Sequence, residues 1–185
     1  MSRLICVDAS FVLKLVLDEA DSEQVHALWA AWAAEGATII APCHLAFEVT
    51  SVIRNHVCRR NISAEAGQMS FEAFLAQEIE LHHPGDLEVR AWELAGQYNR
   101  PTAYDTSYLA LAENAGCELW TADGRLVKAV AASLPWVKTP LNPGSAGRPG
   151  GPTESAAGSH SSQGSAGLAA ETGSGGPQEA SEAVS

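Results

Sequence analysis

Short apolar runs alternate with longer amphipathic stretches over the first 140 residues. "RLICVD", "ATIIAP", "EIELHH", "CELWTAD" and "PWVKT" are brief and mostly apolar or β-branched, as strands are. Between them, apolar residues recur at intervals of three and four. Leu45, Val49, Val52, Ile53 and Val57 within "CHLAFEVTSVIRNHVCRR" are the clearest case, and the spacing predicts a helix. "SFVLKLVL", "SEQVHALWAAWAAEG", "SAEAGQMSFEAFLAQ", "DLEVRAWELAGQYN", "TAYDTSYLALAENAG" and "GRLVKAVAA" read as further helices. Gly36 and Gly116 close two of them, and Ser63 caps another. Strands that alternate with helices predict an α/β fold with a parallel sheet of about five short strands, covered on both faces. Function in such sheets gathers at the carboxyl ends of the strands.

The pattern stops near residue 140. From Leu141 the chain is rich in Gly, Ser, Ala and Pro, holds ten of the 16 glycines and has no aromatic residue. Such a segment buries too little apolar surface to offset its ordering entropy, so 141–185 is expected to be a disordered tail on a 1–140 domain. The tail sets Arg148 against Glu154, Glu171, Glu179 and Glu182, a net −3 that leaves −8 of the total −11 on the domain. No apolar run is long enough for a membrane helix. Asp8 and Lys14 break the N-terminal apolar run, which argues against a signal peptide. Cys6, Cys43, Cys58 and Cys117 form no CxxC pair and lie in apolar segments, as buried free thiols of a reducing cytoplasm do.

Against that background, four acids stand out. Asp8 ends the first strand, Asp123 follows the fourth, and Asp105 lies near the start of the helix before it. Glu48 projects about 40° from Val52, at the margin of an apolar helical stripe. Each has a plainer role to hand. Asp8 can cap the next helix, Asp123–Gly124 is a turn dipeptide, and Asp105 suits a first helical turn. Glu48 is harder to place, because Arg54 is six residues on and is no i,i+4 partner. Taken together, the four belong to one edge of the expected sheet. Carboxylates converging there repel one another unless a cation neutralises them. Oxygen ligands without His or Cys suit Mg2+ or Mn2+, ions that activate water against phosphates.

"VDAS", "FEVTSVIR", "AYDTSYLALAENAG" and "LWTADGRLVKA" resemble the acidic motifs of PIN-domain nucleases, particularly the VapC-type ribonuclease toxins of toxin–antitoxin pairs. The resemblance covers residues 3–138. It implies a PIN-like three-layer α/β/α sandwich that binds Mg2+ or Mn2+ and cleaves RNA as an endoribonuclease. By position, Asp8 and Asp105 would be the chief metal ligands, with Glu48 and Asp123 completing the cluster. Ser10 and Thr121 match supporting hydroxyl residues. The resemblance also implies a cytoplasmic homodimer held inactive by a cognate antitoxin. Two features depart from it: Ser51 stands where many relatives have Asn, and the tail has no counterpart in the compact family.

RNA binding asks for a basic patch, which a domain at −8 must concentrate locally. Arg54 and Arg125 are the candidate phosphate contacts. Arg59 and Arg60 close their helix, and Arg100 lies near the acidic motifs. Trp29, Trp32, Trp92, Trp120 and Trp136 are expected in the core or in dimer contacts, and His82–His83 in an exposed loop. Two other function classes stay open. One is a PIN-like protein-binding module without catalysis. The other is a phospho-accepting receiver domain, which wants an acceptor Asp after strand three, where this chain has "LHHPGD".

Overall fold

In the computed structural model, which describes residues 2–140, the five apolar runs pair as one parallel sheet. The strands are β1 Leu4–Val7, β2 Thr38–Pro42, β3 Ile79–His82, β4 Glu118–Trp120 and β5 Val137–Lys138. Seven helices connect them: α1 Ala9–Val16, α2 Ser22–Glu35, α3 Leu45–Cys58, α4 Ala64–Leu75, α5 Leu87–Gln97, α6 Tyr104–Ala115 and α7 Gly124–Val130. The expected three-layer α/β/α arrangement is the observed one. The expected tail, 141–185, lies outside the described residues.

The strand order is β3-β2-β1-β4-β5. β1 aligns Ile5 with Ile39 on one side and with Glu118 on the other. The order therefore reverses between β1 and β4, and at such a switch point two loops diverge and leave a crevice. The same order argues against a receiver domain. β3 is an edge strand separated from β1 by β2, so "LHHPGD" does not neighbour the end of β1.

Ile5, Cys6 and Val7 of β1 are fully buried, as a central strand covered on both faces requires. α6 packs on β1, β2 and β4, with Tyr108, Leu109, Ala110, Leu111 and Ala112 buried in succession. α1 packs against α2, α3 and α4. Phe11, Trp32 and Trp120 form an aromatic group, with the Phe11 and Trp120 rings each 5.3 Å from Trp32. Trp92 lies outside the core and is 77% exposed. On α5 the buried residues are Leu87, Ala91, Leu94 and Ala95, and position 92 points off that stripe.

α2 and α6 end at Gly36 and Gly116, both left-handed, a conformation that costs glycine nothing. Gly67 lets α4 approach α3, since a Cβ there would stand 2.2 Å from Val57 Cγ2. All four cysteines are free, but the expected burial holds for Cys6 only. Cys117 is partly covered, and Cys43 and Cys58 are exposed because they lie just outside the body of α3 or at its end. Among the described residues no helix is long and apolar enough to cross a membrane.

Candidate active site

The crevice between β1 and β4 is built around Asp8. The residue lies one position beyond β1 rather than ending it, as its N–H reaches the Trp120 carbonyl at 3.2 Å and the chain turns into α1. Its Oδ1 caps α1 by accepting from Phe11 N at 2.9 Å, and also accepts from Ser10 Oγ at 2.7 Å. Its Oδ2 accepts from Thr121 Oγ1 at 2.5 Å. The plainer role of Asp8 as a cap is thus real, yet it uses one oxygen and leaves the other facing β4. Burial raises the Asp8 carboxyl to about 6; the bonds from Thr121, Phe11 and Ser10 oppose the rise, and the nearby Asp123 charge adds to it.

Ser10 and Thr121 tie the two loops together. Ser10 Oγ accepts from Ala122 N at 2.8 Å, and Thr121 Oγ1 accepts from Asp123 N at 2.9 Å. Asp123 then caps α7, accepting from Arg125 N at 2.8 Å. This explains why β4 stops at Trp120, three residues short of the acid. Thr121 N–H still reaches the Lys138 carbonyl, and beyond it the Ser10 and Thr121 hydroxyls and the Asp123 carboxylate accept from the N–H groups of Ala122, Asp123 and Arg125.

Asp105 sits in the first turn of α6, whose N-terminus meets this same edge. Its Oδ2 accepts from Arg100 Nη2 at 2.5 Å, and the same nitrogen lies 3.9 Å from Asp123 Oδ2. Glu48, in the first turn of α3, is half-buried and accepts from Tyr108 Oη at 2.8 Å. Burial first, then the Glu48 charge, raise the Tyr108 hydroxyl well above its ordinary value, so it stays a donor. His44 stands edge-on to Tyr108 with ring centres 5.1 Å apart and meets Ser107 Oγ at 3.1 Å. Burial lowers its pKa.

The expected four-acid group is therefore only partly drawn together. Thr121 Oγ1 links the Asp8 carboxylate to the Asp123 backbone N–H, and Asp105 and Asp123 share Arg100, while Glu48 is held by Tyr108. Among the described residues no three His, Cys, Asp or Glu side chains stand close enough to hold a metal ion as they are placed. The donors are the all-oxygen set that Mg2+ or Mn2+ takes, but a guanidinium occupies the space between two of them. Of the candidate phosphate contacts, Arg125 is exposed beside Asp123. Arg54 instead lines a groove of about 370 Å3 between α3 and α4, with Thr50, Gly67 and Phe71, which shares no residue with the acids.

The sequence profile of the PIN domain family matches residues 5–132. The chain is a PIN-domain protein of the VapC type. Ribonuclease VapC12 of Mycobacterium tuberculosis is 33% identical over 125 residues, covering 68% of this chain and 91% of that protein. Ribonuclease VapC9 of the same organism is 28% identical over 137 residues, covering 74% and 99%. The crystal structure of M. tuberculosis VapC20, described as a sarcin–ricin loop cleaving toxin, shares the fold at a TM-score of 0.52 and 21% identity, covering 68% of this chain and 95% of that one.

Two features of this PIN domain were not read from the sequence. Tyr108 follows Asp105 by three residues, which puts both on one helical face, but its partner Glu48 is 60 positions away and is met only in the packed fold. Arg100 lies near the acidic motifs in the chain, but its contact with two of the acids had no sequence signal. It depends on a turn in which Asn99 is left-handed, at φ 49°.

Proposed function

We propose that this protein is the toxin of a VapBC-type pair, an endoribonuclease dependent on Mg2+ or Mn2+. The observation that carries the reading is the buried Asp8 carboxylate at the β1/β4 switch point, joined through Thr121 to Asp123, with a cation already drawn between Asp123 and Asp105. A crevice of this charge seeks positive partners. Asp8, Asp105, Asp123 and Glu48 would hold the ion. When bound, it would supply an activated water and charge for the phosphoryl oxygens. Three donors fix the Asp8 carboxylate, Tyr108 fixes Glu48, and Ser10 and Thr121 keep the two loops in register. Arg125, exposed next to Asp123, would meet an RNA phosphate. The cognate antitoxin would bring a basic side chain to the same crevice. A cytoplasmic homodimer fits the apolar groove of about 600 Å3 beside the acids, lined by Phe47, Trp92 and Tyr104 among others.

The test is cleavage of a structured RNA by the purified chain in Mg2+ or Mn2+. Asp8→Ala and Asp105→Asn are expected to lose cleavage at least a hundredfold, and chelation to abolish it. Undiminished cutting by either variant in chelator would refute the assignment. An inert wild-type chain that still binds a basic partner peptide would favour the protein-binding alternative.

A further inference from the structure

We infer that Arg100 is a built-in counter-ion of Asp105 and Asp123, and that a divalent ion must displace it. This rests on the metal-dependent reading above. Arg100 follows α5, where its N–H donates to the Ala95 carbonyl at 2.8 Å and the left-handed Asn99 turns the chain toward α6. Its side chain is only 17% exposed, yet the head engages the acids through one nitrogen, Nη2. The usual arginine–carboxylate pair is a two-bond fork. Here Nε is buried without a hydrogen-bond partner. A buried donor left unpaired is costly. The head is therefore held by the charge of the two carboxylates and not by a fitted socket, and leaving the crevice would restore water to Nε.

A guanidinium and a divalent cation cannot share that space, because both are positive and at a few Å their repulsion is large. Ion loading is thus an exchange. Without metal, Arg100 offsets one of the acid pair's two negative charges. With metal, its head withdraws, and the site's affinity is lowered by whatever Arg100 contributed.

The full chain is stripped with chelator and titrated with Mn2+ by calorimetry. Arg100→Gln is expected to bind roughly tenfold more tightly than the parent, with Arg100→Lys between them. The rise in Tm caused by Mn2+ is expected to be larger in Arg100→Gln. A second measurement needs no variant to fold in the parent's place. The buried Arg100 Nε–H signal in 15N spectra of the wild-type chain, titrated with Mg2+, is expected to move and to begin exchanging with water. If the wild type binds Mn2+ and Arg100→Gln binds equally or less tightly, or if the Nε–H signal stays still at saturating Mg2+, the exchange is refuted while the metal site stands. If neither protein binds Mn2+, the metal-dependent reading falls and the exchange with it.

Discussion

Replacing Asp8 by Asn is expected to make the metal-free protein more stable while removing its cleavage. Asp8 is 6% exposed, and burial raises its carboxyl from 3.8 to about 6. At 1.36 kcal/mol per pH unit, keeping it ionised in the fold costs about 3 kcal/mol at neutral pH. Asn keeps an acceptor for Phe11 N and Ser10 Oγ but presents an amide N–H to Thr121 Oγ1, whose hydroxyl must turn to donate elsewhere. That rearrangement gives back about 1–2 kcal/mol. The net gain is about 1–2 kcal/mol, or roughly 3–6 °C in Tm for a domain of this size. The sign is fixed by proton linkage. The folded state binds the Asp8 proton more tightly than the unfolded state, so the parent's stability falls as pH rises from about 4 to about 6 and is level above. The Asn variant escapes this loss. Thermal melts in chelator at pH 7.5 and at pH 4 test it, and the variant's advantage should be present at the first and gone at the second. A variant no more stable than the parent at pH 7.5, or an advantage unchanged at pH 4, would refute the reasoning.

Two further outcomes follow from the packing. Tyr108→Phe removes the donor that fixes Glu48 and is expected to lower the single-turnover cleavage rate about tenfold, with RNA affinity within about twofold, for a loss of about 1.4 kcal/mol; an unchanged rate would separate Glu48 from the chemistry. Gly67→Ala puts a methyl 2.2 Å from Val57 Cγ2 and should destabilise the chain by about 1–3 kcal/mol in urea melts. Adding Val57→Ala should recover part of that loss, and no recovery would mean the strain lies elsewhere.

The periodicity of the chain carried the architecture well, because the strands are short, β1 and β2 are largely buried, and each helix has its apolar stripe. It also delivered the acids to one sheet edge, since Asp8, Asp123 and the first turns of α3 and α6 are tied to element ends. Where the reading stopped, the reasons are particular. Asp8 falls outside β1 because capping α1 competes with extending the strand. Glu48 and Tyr108 are 60 positions apart, and only the packed sheet brings them together. Arg100 depends on a loop conformation that no periodicity encodes. The exposure of Trp92, by contrast, follows from periodicity alone. Projected on α5 it lies opposite Leu94, on the outer face.

The strand order also has a bearing on synthesis. β1 precedes the other described strands in the chain, yet one of its two neighbours is β4, more than a hundred residues later. Until Thr121 emerges, Asp8 has no partner for its second oxygen and Asp123 does not exist. A growing chain still attached to its ribosome is therefore chemically incomplete until nearly the whole domain is made. On the function proposed above, the crevice cannot act on RNA before its last acid has been made.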